Sequence, residues 1–413
     1  MLVYHFGFFI PHVLAVRALN GVGNGYSFGD DFYPIWLTTQ RFTPDLYSPD
    51  VTREIQKGLF GRPLDPSNPK DPPSDYRQFA YPAYTDIFLF PASLFEFPML
   101  RIVLALLLPI ITVLSLQLWM FALQWRVRGC QFATVTILTL GTYQVLEALF
   151  AEQPGLLVGL FLAGAAAALR ARRFLLAGVL LGLTLIKPQV TVLAVLYLSV
   201  WSFSDRKRAR VWTGVVTVGL FFMVSSLLVW PDWIRKWIGV ILGYHHYATP
   251  PLVAVLLGPT LGAKFGPLAI GAMLLAAAWL MWRNRHLEID SERFWLVLTL
   301  LLGVGVVTLL PGQAIYDHVV LIPGIFILLQ NRAKLLDSGR TARAIFVAAA
   351  LVLSWPWASA IALLCARAVS ASAFRSYPVF VLPIRTAASL PFAVLAALAW
   401  LWKVTNQKTQ EAV

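Results

Sequence analysis

The chain has little charge. Of its 413 residues only 13% are charged, against roughly a quarter in an average soluble domain, while 58% are hydrophobic and the mean hydropathy is +0.70. That balance excludes a soluble globular domain. Cysteine is nearly absent, and the spacing of Cys130 and Cys365 fits neither a metal site nor a disulfide framework. A Walker loop, a dinucleotide fingerprint, a nucleophile elbow and an HExxH pair are all missing. ATP-driven transport, nicotinamide chemistry and the common hydrolase designs therefore lose support. No cofactor and no metal is expected. No internal repeat of the kind many secondary transporters carry is visible either.

The charge that is present is lopsided, with 33 Lys and Arg against 20 Asp and Glu, a formal balance of +13. A nucleic-acid binder gathers basic residues on one exposed patch. Here they sit in short clusters between apolar runs, so nucleic acid is not an expected partner and topology explains them better. Apolar runs near the ~20 residues that cross a bilayer recur along the whole length. The expected fold is all-α: a polytopic helical bundle in one membrane-embedded domain over residues 1–413, not a barrel. The 15 Trp, often near the ends of the runs, suit interfacial belts.

Twelve spans are read, at about residues 2–19, 98–123, 131–151, 154–169, 174–187, 189–203, 211–230, 265–283, 294–310, 318–330, 343–365 and 382–402. The first carries His5, Pro11, His12 and Arg17 and has no basic region before it, which argues against a cleaved signal peptide. A start further upstream stays open. Arg126/Arg128, Arg170/Arg172/Arg173, Arg206 to Arg210, Arg283 to Arg293, Arg332 to Arg343 and the Lys403/Lys408 tail then fall on one face, which the positive-inside rule makes cytoplasmic. The acids and lone polar residues fall on the other.

Residues 20–90 form the one long polar interruption. Ser48-Pro49-Asp50 reads as a helix start, with Val51, Ile55 and Leu59 spaced by four and an end near Gly58 or Gly61, which predicts a short amphipathic helix on the membrane surface. Prolines 63, 66, 69, 72 and 73 then force an extended loop. In the 231–264 loop, apolar positions 233, 234, 237, 238, 241 and 242 form one stripe. It predicts a second interfacial helix with Arg235 and Lys236 near lipid headgroups.

The chemistry is sought at the outer ends of the spans. Asp30 and Asp31 stand at the mouth of a membrane helix, where a partly desolvated carboxylate can take a proton from a hydroxyl. A cap and a solvated neighbour are the plainer reading. Lys187, before Pro188, ends a span; it is either snorkelling or bound to an anionic partner such as a lipid phosphate. Asp317 and His318 are either a mutually satisfied interfacial pair or a phosphate-donating His oriented by an Asp. Adjacent His245 and His246 cannot share a helix face and carry no metal in this reading. Glu152-Gln153-Pro154 marks a helix boundary or a polar site.

In order along the chain stand Asp31-Phe32 with Trp36, Asp45-Leu46-Tyr47-Ser48-Pro49, Phe79-Ala80-Tyr81-Pro82, Glu152-Gln153, Ile186-Lys187-Pro188-Gln189 and Tyr316-Asp317-His318. With these landmarks the chain resembles, over essentially its full length, the GT-C membrane glycosyltransferases, specifically glycosyltransferase family 87 with its polyprenol-phosphate-mannose-dependent mannosyltransferases. A departure is Gly155, where family members often carry Asn two residues after the Gln. The resemblance implies an inverting transfer of a hexose, mannose by analogy, from a polyprenyl-phosphate-linked sugar to a glycan or glycolipid acceptor. It places the reaction on the extracytoplasmic face of the inner (plasma) membrane, among membrane lipids. It also implies Asp31 as general base, with Asp30 as the adjacent ambiguity, and Lys187, Gln189, His318, Asp317, Gln153 and Tyr81 around the substrate and its lipid phosphate. A transporter or flippase, or a polymerase of lipid-linked sugars, is the alternative.

Overall fold

The computed structural model describes residues 1–19, 29–244, 247–370 and 382–410. His245 and His246 lie outside the described residues. Helices make up the fold, as composition requires, and no strand occurs among the described residues.

Five helices are long and apolar enough to cross a membrane alone: Phe97–Ala122, Ala209–Val229, Phe265–Arg283, Glu292–Leu309 and Arg340–Val369. The 26 residues of the first reach roughly 39 Å at ~1.5 Å per residue, beyond a ~30 Å hydrocarbon core. Gly129–Leu140 and Tyr143–Phe150, bent by 63°, make a sixth crossing if they form one span. The sequence reading counted twelve. Other apolar segments fold as helices of 10–17 residues, among them Gly155–Arg170, Phe174–Ile186, Pro188–Ser202 and Ile315–Gln330. The sequence reading divided these segments at nearly the same bounds and counted each as a span, although each is shorter than the ~20 residues that cross a bilayer.

Glu292–Leu309 is the central helix, with 78% of its apolar window buried, against 17% for Phe265–Arg283 at the periphery. Ser291 caps it by accepting from the Phe294 N–H at 3.2 Å. Leu106, Leu228 and Leu275 are 68, 79 and 74% exposed on outer helix faces. Water would penalise such a surface and lipid does not, so the chain is a membrane protein. Small residues let helices touch: a Cβ on Gly178 would lie 2.0 Å from the Val211 carbonyl oxygen, and one on Gly214 would lie 2.5 Å from the Val179 nitrogen.

The basic loops meet at one end. Arg170 donates to Asp290 at 2.8 Å and to the Ala122 carbonyl at 2.8 Å, and Arg208 pairs with Glu288. Gly155–Arg170, Pro188–Ser202 and Glu292–Leu309 each run between this end and the opposite one, where the outer-loop elements gather.

There, Pro49–Phe60 forms as its sequence signals: the Ser48 side chain accepts from the Val51 N–H at 3.3 Å, and Gly61 closes the helix at φ 76°. Its apolar face is buried in a core shared with Ile35, Leu46 and Phe79 rather than turned toward lipid. Trp233–Gly243 also forms, but its apolar stripe is divided. Trp233 and Val240 pack inward, Ile238 and Leu242 are 47 and 67% exposed, and Lys236 pairs with Asp45 at 2.9 Å instead of reaching for headgroups. At 3.6 residues per turn, positions 233 and 240 share a face that 238 and 242 do not.

Candidate functional site

Three chain breaks build the site. The first is Gly29, at φ 76°, whose N–H donates to the Phe150 carbonyl at 2.9 Å. This lays Asp30 and Asp31 against the turn at 150–153. The positive φ favours glycine, and a Cβ there would meet a Glu152 carboxylate oxygen at 2.3 Å and displace it. The second break lies at Lys187, before Pro188 at the first position of Pro188–Ser202. It leaves the carbonyls of Leu185 and Ile186 outside the helical ladder, and the Tyr84 and Thr85 hydroxyls donate to them at 2.9 and 3.3 Å. The third is the 3₁₀ segment Ile315–Leu321, which carries Asp317.

These breaks converge on a cavity of about 580 Å³, within the ~300–1,000 Å³ of small-ligand sites. Its lining includes Asp30, Asp31, Tyr81, Gln153, Lys187, Gln189 and Asp317, seven of the eight residues singled out from the sequence. His318 is not among them. A 3₁₀ segment turns ~120° per residue, so neighbours point to different sides. His318 is 2% exposed, with no hydrogen-bond partner for either ring nitrogen among the described residues.

A continuous polar chain crosses the cavity. Arg77 donates from one Nη to Asp31 and from the other to Asp30 at 2.7 Å. The Gln153 amide donates to the second Asp31 oxygen and accepts from Lys187 Nζ at 2.9 Å. Lys187 also pairs with Asp317 at 2.7 Å and stands 4.8 Å from the centre of the Tyr316 ring. Gly155 leaves room for that pair, since a Cβ there would come within 2.6 Å of Asp317 Oδ1.

The roof is residues 74–81, pinned from several sides. Buried Gln56 donates to the carbonyls of Ser74 and Tyr76 at 2.8 and 2.9 Å, Tyr47 donates to the Tyr81 carbonyl at 2.9 Å, and Trp237 donates to that of Ala80 at 3.0 Å. Burial works against the Arg77 charge, but Asp30 and Asp31 beside it hold its pKa well above the usual value. Burial first, then the Asp31 and Asp317 carboxylates, push the Tyr81 phenol upward, keeping it a neutral hydroxyl donor.

Arg77 was missed from the sequence. Its signal is that it is the one basic residue between Lys70 and Arg101, in a loop assigned to the acid-rich face. Glu147, a further carboxylate of the lining, was missed as well.

Glu152 lies just behind the chain. It is fully buried at φ 51°, and neither carboxylate oxygen has a hydrogen-bond partner among the described residues. Desolvation raises its pKa to about 8, Arg101 opposing and Asp30 adding to the rise. The folded value exceeds the unfolded one, so its contribution to stability is greatest below about pH 4.5 and is lost as pH rises through about 8. Glu152→Gln, which mimics the protonated carboxyl, is expected to raise the thermal midpoint in detergent clearly at pH 8.5 and little at pH 5. An equal effect at both pH values would mean that Glu152 does not titrate in this interval.

Fold and cavity together define a membrane-embedded helical protein with a buried ionic site at one end of the bundle. The family model for glycosyltransferase family 87 matches residues 79–311, more than half of the chain, and the chain belongs to that family. It is a membrane glycosyltransferase. The matched stretch includes Tyr81, Gln153, Lys187 and Gln189, whereas Asp30, Asp31 and Asp317 lie outside it. Comparison with curated proteins and with solved structures gives no significant match.

Proposed function

We propose that the protein transfers a hexose, mannose by family analogy, from a polyprenyl-phosphate-linked donor to a glycan or glycolipid acceptor at the extracytoplasmic face of the inner (plasma) membrane. The observation that carries this reading is the polar chain from Asp31 through Gln153 to Lys187, which joins a carboxylate to a cation inside one cavity. Asp31 takes the proton of an acceptor hydroxyl as that oxygen bonds to the anomeric carbon. The bond from that carbon to the phosphate oxygen breaks, and its electron pair leaves with the lipid phosphate. The leaving group is a stable anion, so it needs a cation more than an acid, and Lys187 is placed to serve it. Tyr81 and Gln189 supply donors for sugar hydroxyls, and the apolar lining from Phe9, Ile10 and Leu14 accommodates lipid. The basic loops at the opposite end support the outward orientation through the positive-inside rule.

A polymerase or ligase of lipid-linked glycans would draw on a different lipid donor. The test is reconstituted full-length protein supplied in parallel with polyprenyl-phosphate [¹⁴C]hexose and nucleotide [¹⁴C]hexose, with a membrane lipid extract as acceptor. Label should pass to the acceptor pool only from the lipid phosphate. Direct transfer from the nucleotide sugar would overturn the donor assignment.

A further inference from the structure

We propose that Arg77 is a second ligand of the donor's phosphate, and that the arrival of phosphate draws its guanidinium away from Asp31 and so frees the base. This inference rests on the donor reading above. It starts from a problem of charge: the lining carries Asp30, Asp31, Glu147 and Asp317 against the two cations Arg77 and Lys187, and both cations are already paired. An anion entering such a cavity must win a cation from a carboxylate.

The two cations are not equally available. The Lys187 and Asp317 side chains are 5 and 2% exposed and sit between helix ends. The Arg77 side chain is 21% exposed, on a loop residue at φ 67°. Its Nε–H is buried and has no hydrogen-bond partner among the described residues, while each Nη serves one carboxylate. A guanidinium presents a planar fork that matches phosphate with two parallel hydrogen bonds. The two Nη groups provide that fork end-on, so a phosphate that takes it displaces Asp30 and Asp31 together.

The exchange serves both ends of the reaction. Asp31 keeps the Gln153 amide on one oxygen and turns the other, relieved of Arg77, to the acceptor hydroxyl. The donor is a phosphodiester with one negative charge, and the departing lipid phosphate is a monoester that carries a second. Arg77 therefore grips the phosphate more strongly as the bond breaks, which favours the transition state over the ground state. A base left paired until the donor is seated also makes donor binding precede proton removal.

The experiment measures binding of polyprenyl monophosphate, with the uncharged polyprenol as control, to the full-length protein in detergent by tryptophan fluorescence. Arg77→Gln should weaken phosphate binding by roughly 10- to 100-fold, leave the polyprenol unaffected, and be partly rescued by Arg77→Lys, which keeps the charge without the fork. Asp31→Asn, which releases Arg77 in advance, should tighten phosphate binding about threefold or more, and the gain should vanish in the Arg77→Gln background. No tightening, or the same tightening without Arg77, would overturn the exchange. Equal affinity of the unaltered protein for the phosphate and the uncharged prenol would overturn the lipid-phosphate donor as well, which separates the two failures.

Discussion

Asp31→Asn is expected to lower hexosyl transfer by about 10²- to 10⁴-fold, the usual contribution of a positioned general base, while the donor still binds. Two carboxylates compete for this role, and their hydrogen-bond partners differ. Asp30 accepts from one Nη of Arg77, whereas Asp31 accepts from the other and from the Gln153 amide that leads to Lys187. The reacting carbon must lie between base and leaving phosphate, which favours the carboxylate on the path to the second cation. Asp30→Asn should accordingly cost only about tenfold, as the loss of one charge-assisted partner of Arg77. Initial rates with polyprenyl-phosphate [¹⁴C]hexose decide the matter, with thermal midpoints showing that both variants fold. A loss on Asp30→Asn equal to or greater than that on Asp31→Asn would move the base to Asp30. Asparagine at position 31 must face two donors with only one acceptor oxygen, so a modest drop in its midpoint is expected and does not bear on the assignment.

Local signals were legible in the chain where chemistry is local. Ser48, Pro49 and Gly61 set both ends of their helix by capping and by left-handed backbone, and the structure places them there. Asp30, Asp31, Lys187 and Asp317 stood out because charge at the end of an apolar run is costly and asks for a partner. The identity of the partner was not legible. Gln153 and Asp31 are 122 residues apart, and Lys187 and Asp317 are 130 apart. Arg77 looks like any loop arginine until Gln56 is seen to hold the backbone beside it, and no spacing rule connects positions 56 and 77. Asp317 and His318 were read as a unit because they are adjacent, but the 3₁₀ turn between them sends one into the cavity and the other into the packed interior. The span count depended on the same limitation: Lys187-Pro188 is visible as a break, yet its consequence, two short helices meeting at a polar site, depends on Tyr84 and Thr85 reaching across from another part of the chain.

Breaking the Lys187–Asp317 pair should separate what the site does for folding from what it does for transfer. Both side chains are almost wholly buried, so removing one leaves a buried charge without its counter-charge. Lys187→Met and Asp317→Leu are each expected to cost about 3–5 kcal/mol of stability. The double variant substitutes apolar side chains for both charges, and such replacements are often neutral or stabilising, so its thermal midpoint should return close to that of the unaltered protein. Transfer should stay lost in all three. Without Lys187 the Gln153 oxygen loses its donor, the amide is no longer held with its NH₂ toward Asp31, and no lysine remains to balance the leaving phosphate. A purely structural pair would behave differently, because restoring the fold would restore the rate. Recovery of transfer in the double variant would therefore remove Lys187 from the reaction, while recovery of stability alone would tie the cation to the departing phosphate.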